Sequence, residues 1–185
     1  MKKIGLIIIA VLVVLVLGGI GTYNGLVQLE EDVDNKLADI SVQLERRADL
    51  IPNLVSTVKG YASHEQSVID SVTEARTKLV NANTVEEKAQ ANQELTNALN
   101  NLFVIVENYP DLKANENFLN LQDELAGTEN RIAVARKDYN EVVKTYNKEI
   151  RKFPKSILAG MFGFEKKAYF EAKESANEVP NVSFE

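Results

Sequence analysis

The 185-residue chain contains no cysteine, which excludes disulfides, thiol nucleophiles and thiolate metal sites together. A domain outside the cytoplasm built from it would have to rely on packing alone. Histidine occurs once, as His64 beside Glu65 at an expected helix start, and reads as a surface turn residue. A single imidazole cannot assemble a histidine-rich metal centre, and the Glu-x-x-His pairs of di-iron bundles are missing. Glycine-rich phosphate loops, Ser/His/Asp sets and other catalytic signatures are not recognisable either. Four prolines, few glycines beyond the first 25 residues and almost no alternating β-rich runs leave an all-α protein as the expected class.

Basic charge is scarce as well. Of 21 Lys and Arg residues, Lys2 and Lys3 precede the long apolar run, so 19 face 27 Asp and Glu in the remainder, a balance of −8. Phosphate-rich partners call for a basic face, so nucleic acid is excluded as a partner. The same balance speaks against a polybasic grip on anionic lipid. Glu30, Glu31, Asp32 and Asp34 lack the spacing and glycine of a calcium loop and read as a solvated rim. No cofactor, metal ligand set or catalytic residue is expected.

What the chain does have is Ile4 to Ile20, a run without one charged or strongly polar side chain. In hydrocarbon the backbone must satisfy its own hydrogen bonds, so such a run has to be a helix. Spanning takes about 20 residues with about 17 as the lower limit, and Gly21, Thr22 and Tyr23 carry the run into the interface, where an aromatic is favoured. A cleaved secretory signal is the competing reading, with Gly19-Ile20-Gly21 as a small-residue cleavage site. The run is longer than a usual signal core, and no Ala-x-Ala or lipobox cysteine follows it, so a retained anchor is expected. Lys2 and Lys3 before the run, against acidic residues after it, place the amino end in the cytoplasm and the bulk outside.

Beyond the anchor, Val33, Leu37, Ile40, Leu44, Ile51, Leu54 and Val58 recur in steps of three and four, the mark of helices packed side by side. Pro52 interrupts this stripe chemically but not in phase, so one helix bent near Ile51 is expected to continue from the anchor. Gly60 ends it, and Ser63-His64-Glu65-Gln66 fits a capping box for a second helix burying Val68, Val72, Ala75 and Leu79. A break at Asn81-Ala-Asn83 and a second box at Thr84-Val-Glu-Glu87 open a third helix with Ala91, Leu95, Ala98, Leu102 and Ile105. A turn at Asn108-Tyr109-Pro110-Asp111 leads to a fourth, from near Asn115 to Lys152, with Phe118, Leu125, Ile132, Tyr139, Val143, Tyr146 and Ile150 on one stripe. Long helices in this order predict an antiparallel up-down-up-down four-helix bundle behind one transmembrane helix. The expected division is an anchor with its cytoplasmic lysines over 1–22, a bundle over 23–153, and an amphipathic segment with a polar tail over 154–185.

Parity then returns the segment after Pro154 to the membrane side. Tyr23, Ile157, Leu158, Met161, Phe162 and Phe164 are therefore candidate membrane-interface residues, with capping of the bundle core as the alternative. Arg47 falls on the apolar stripe of the first helix, and Glu129 and Arg136 on that of the fourth. Arg47 lies about 12 residues before Lys59 and Glu129 about 14 after Asn115, which is nearly equal height in antiparallel helices. An Arg47–Glu129 pair that sets register is expected, with Arg136 completing a candidate polar core that could instead take a small anion.

Gln43-Leu-Glu-Arg-Arg-Ala-Asp-Leu-Ile-Pro-Asn-Leu-Val55 and Lys59-Gly-Tyr-Ala-Ser-His-Glu65 resemble the LemA family. The likeness continues through Tyr109-Pro-Asp-Leu-Lys-Ala-Asn115, Phe118-Leu-Asn-Leu-Gln122, Thr128-Glu-Asn-Arg-Ile132, Ala135-Arg-Lys-Asp-Tyr-Asn140 and Phe153-Pro154, and ends with Phe162-Gly-Phe164 and Tyr169-Phe170-Glu171. It covers nearly all of the chain after Thr22. The resemblance implies an amino-terminal membrane helix and a helical body in bacteria, and brings no catalytic residues to carry over. It also implies a short amino terminus outside the cell, opposite to the orientation that Lys2 and Lys3 favour. The expectation is a non-enzymatic, single-pass membrane protein at the bacterial envelope. It would be tethered to the bilayer through Ile4–Ile20 and bind a protein partner there, with self-association open. The alternative is a sensor binding a small anion in the polar pocket.

Overall fold

A computed structural model describes residues 2–62 and 64–172. Among them every regular element is a helix: α1 (Lys2–Lys59), α2 (Gln66–Asn81), α3 (Val85–Val106), α4 (Pro110–Lys113), α5 (Glu116–Glu149) and α6 (Lys155–Phe162). The 58-residue α1 runs without interruption from the apolar segment through Pro52. It ends before Gly60, the residue expected to close it. Residues 173–185, most of the expected polar tail, lie outside the described part.

Several boundaries differ from the sequence reading for local reasons. The cap expected from Ser63 lies outside the described residues; α2 opens after Glu65, with no side-chain cap. On α2 it is Ile69, not Val68, that is buried with Val72, Ala75 and Leu79. Thr84 and Glu87 do form the expected reciprocal box, the Thr84 hydroxyl accepting from Glu87 N–H at 3.1 Å and Glu87 accepting from Thr84 N–H at 3.0 Å. The turn around Pro110 tightens into the single helical turn α4, because proline suits a first helical position. Asn115 opens α5 by accepting from Phe118 N–H at 3.1 Å.

The residues group into two compact units. One comprises 41–134 with 169–172, and its polar cross-links fix helix directions. Arg76 on α2 donates to the Ala48 carbonyl on α1 at 2.9 Å, and Lys78 donates to Glu94 on α3 at 3.1 Å. Ser41 and Arg47 on α1 meet Lys88 and Asn92 on α3, so these two helices run parallel. Arg46 meets Glu124, and Tyr61 just past α1 meets Asn115, so α1 and α5 run antiparallel here. Leu44, Ile51, Leu54, Leu95, Leu102 and Phe118 are among its buried side chains.

The other unit comprises 2–40 with 135–168. Leu26, Val33 and Ile40, seven residues apart on α1, are buried, as are Tyr139, Val143 and Tyr146 on α5. Toward its amino end the pattern reverses: nearly every residue from Ile4 to Ile20 is exposed, and none of the most apolar 18-residue stretch is buried. This is a helix long and apolar enough to cross a membrane.

Candidate functional site

Two places collect the residues singled out by the sequence. The first is a polar cluster in the 41–134 unit. Positions 26, 33, 40, 47 and 54 share one face of α1, and all but Arg47 are apolar. Arg47 therefore occupies a core position, only 3 % exposed. Its Nη1 donates to Glu129 Oε2 at 2.5 Å and to Asn92 Oδ1 at 2.6 Å. Asn92 is itself buried, and Thr128 next to Glu129 is fully so. Burial pulls the Arg47 guanidinium below its ordinary range, with the Glu129 charge opposing that shift. An arginine starts so high that it stays a cation at neutral pH.

Arg136 is not part of this cluster. It is exposed on α5, two places beyond the stretch grouped with Arg47 and Glu129. The apolar stripe of α5 is buried at Leu125 and Ile132, but four residues further along each, Glu129 is half-buried and Arg136 exposed. Periodicity locates the centre of a buried stripe and not its width, which is why the sequence admits Arg136 to the core. Asn92 is the residue that sequence reasoning misses. Its signal is a polar side chain one place after Ala91 in the α3 stripe.

The second place is the end of the apolar stretch of α1. The Tyr23 ring packs edge-on against Phe162 at 4.9 Å and Phe164 at 5.7 Å between centroids. Gly163 turns the chain there with φ 76°, a left-handed conformation that closes α6 and sets both phenylalanines toward Tyr23. Residues 164–168 are strapped down. Asn147 donates to the Lys167 carbonyl and accepts from Lys167 N–H, both at 2.9 Å, while the Tyr139 hydroxyl donates to the Ala168 carbonyl at 2.9 Å. Lys167 Nζ reaches Glu30 at 2.7 Å and Asp34 at 4.0 Å, so two acidic residues of the expected solvated rim face a lysine. At the start of α6, Lys152 and Lys155 both grip Glu149 and hold its carboxyl at about 2. Of the six candidate interface residues, Ile157, Met161, Phe162 and Tyr23 are exposed, whereas Leu158 and Phe164 are half-buried.

A groove in the 41–134 unit is lined by Ser41, Glu45, Asp49, Arg76 and Lys88. Arg76 and Lys88 are already engaged there by the Ala48 carbonyl and the Ser41 hydroxyl. His64 is exposed.

An all-helical protein with, among the described residues, one membrane-length apolar helix near its amino end is the class that these features define. The LemA family model matches residues 36–184, and the chain belongs to the LemA family. It is 29 % identical over 187 residues to magnetosome protein MamQ 2 of Paramagnetospirillum magneticum, an alignment covering 87 % of this chain and 68 % of that protein. It is 28 % identical over 187 residues to MamQ of Magnetospirillum gryphiswaldense, with the same coverage. Likeness to Protein LemA of Metamycoplasma hominis is 28 % over 160 residues, covering 84 % of this chain and 71 % of that protein.

Proposed function

We propose that the chain is a membrane-anchored, non-enzymatic helical module that binds or organises partner proteins at the bacterial envelope. The observation that carries this is the change of character along α1: an exposed apolar stretch over Ile4–Ile20, then a helix whose buried face repeats every seven residues. Relatives named as magnetosome proteins fit a part in an assembled structure. The charge rule puts Lys2 and Lys3 in the cytoplasm and the body outside. Protease treatment of intact cells should then digest the body, and protection until lysis would reverse this orientation.

The anion-sensor reading has less support. Arg47 Nη1 is taken up by Asn92 and Glu129 within the protein, and Arg136 lies exposed elsewhere on α5. Two measurements on the full chain test the favoured reading. Membranes washed with alkaline carbonate should retain the protein, and release would remove the anchor. Crosslinking in cells followed by affinity capture should return the same partners in repeat experiments, and an inconsistent set would remove the scaffold role.

A further inference from the structure

α6 carries an apolar face that the protein does not cover. Ile157 is 55 % exposed, Met161 71 % and Phe162 56 %, and Phe153 just before the helix is 82 % exposed. A step of four puts Ile157 and Met161 on one side of the helix, and only Ala159 of the helix is buried. An eight-residue helix with this much exposed hydrocarbon needs a cover, and its position in the fold says which. The run Ile4–Ile20 spans about 25 Å as a helix, a few ångströms short of a hydrocarbon core of about 30 Å. Extending it by three residues to Tyr23 closes that gap, so the Tyr23 ring sits at the boundary between acyl chains and headgroups, where tyrosine is favoured. Phe162 packs on that same ring at 4.9 Å. The exposed face of α6 is therefore placed at the level where hydrocarbon gives way to water.

Charge agrees with that placement. Over residues 149–167 five basic residues (Arg151, Lys152, Lys155, Lys166, Lys167) stand against Glu149 and Glu165, in a chain whose net charge is −6. Arg151 and Lys166, one at each end of the helix, are exposed and available to headgroup phosphates. The strap through Asn147, Tyr139 and Lys167 holds the segment in place before any lipid arrives.

We infer that α6 with Phe153 is a second lipid-contacting element, a foot inserted in the interface of the bilayer that α1 crosses, with Phe153, Ile157, Met161 and Phe162 among the acyl chains. This rests on the anchor reading above, and it adds a fixed seat on the lipid surface to what would otherwise be a single-helix tether.

The absence of cysteine makes the test direct, since one introduced cysteine gives one label. Full-length protein carrying Met161→Cys, Val14→Cys or Ser67→Cys, each labelled with the fluorophore NBD, is reconstituted into phosphatidylcholine vesicles with a minor fraction of phosphatidylglycerol. Lipids bearing a doxyl quencher high or low on the acyl chain then report depth. The expected result is that the label at 161 is quenched most by the shallow doxyl, the label at 14 most by the deep one, and the label at 67 by neither. Ile157→Asp should weaken the shallow quenching at 161 and leave that at 14 unchanged. Quenching at 14 without quenching at 161 overturns the foot and leaves the anchor standing. Absence of quenching at both overturns both readings. A label at 161 already shielded in detergent, with crosslinking between copies through the introduced cysteine, assigns the face to a second copy and overturns the lipid assignment.

Discussion

Arg47 and Glu129 form an ion pair with unequal ends: the arginine side chain is 4 % exposed and its carboxylate partner 41 %. The two residues are 82 positions apart and join α1 to α5. Removing one partner is therefore not equivalent to removing the other. Glu129→Ala leaves a desolvated guanidinium with Asn92 as its remaining acceptor, a change expected to cost about 3 kcal/mol. Arg47→Met keeps the volume and frees Glu129 to water, leaving chiefly the Asn92 amide unpaired, at about 1–2 kcal/mol. Denaturant unfolding of the micelle-solubilised protein, followed by far-ultraviolet circular dichroism, checks the order. An arginine variant less stable than the glutamate variant would show that Glu129 is not the partner that compensates the buried charge.

Asn147 binds both backbone groups of Lys167, because an amide carries a donor and an acceptor on a single side chain. Asn147→Ala should lose about 1–3 kcal/mol and expose the Lys167 amide to rapid hydrogen exchange. Asn147→Asp retains the acceptor and lacks the donor when ionised, and it puts a charge where the residue is 6 % exposed. Its defect should be larger at neutral pH than in mild acid, where a protonated carboxyl donates again. Equal protection of Lys167 in Asn147→Asp at both pH values, each taken against the intrinsic exchange rate at that pH, would rule out the proposed role of the donor.

Much of this fold could be read before the structure. The seven-residue recurrence on α5, through Phe118, Leu125, Ile132, Tyr139 and Tyr146, is buried at every one of those positions. Thr84 and Glu87 announce the start of α3 because a capping box needs only local chemistry. The meeting of Arg47 with Glu129 was within reach of counting, since two antiparallel helices starting from one end put them at one height. Arg136 shows the limit. It has the same four-residue offset from Ile132 that Glu129 has from Leu125, yet it is exposed, because how far a neighbour wraps a helix is a property of the whole packing. The strap at 164–168 was out of reach for a related reason. Its hydrogen bonds join side chains on α5 to backbone groups of an extended segment, and backbone groups carry no sequence signal.

Glu149 predicts an acid-sensitive joint between α5 and α6. Lys152 and Lys155 hold its carboxyl at about 2, below an ordinary value of 4.5. A depressed carboxyl contributes stability that is present above the unfolded value and fades as pH falls through the folded one. The advantage of the wild type over Glu149→Gln should therefore shrink as the pH is lowered from 4.5 toward 2, and be constant above that window. Melting temperatures of both proteins across this range are the check. A difference that does not change with pH would mean that the lysines do not act through the charge of Glu149.

Two tyrosines on one face of α5 should respond differently to loss of their hydroxyls. Tyr139 donates to the Ala168 carbonyl at 2.9 Å, whereas the buried Tyr146 hydroxyl has no hydrogen-bond partner among the described residues. Tyr139→Phe should cost about 1 kcal/mol, and Tyr146→Phe should fall within about 0.5 kcal/mol of the wild type, because removing an unpaired buried hydroxyl also removes its desolvation penalty. Tyr146 also predicts an alkaline transition. Burial first, then the nearby charges of Glu30, Asp34 and Glu165, push Tyr146 up from 10 to about 12. A raised value means that its stabilising contribution is intact below the unfolded value and is lost as pH rises through the folded one. Stability should thus decline between 10 and about 12, and Tyr146→Phe should flatten that decline. Unfolding curves collected through this range, with the phenolate absorbance recorded in parallel, decide the matter. An undiminished decline in Tyr146→Phe would place the alkaline transition on another group.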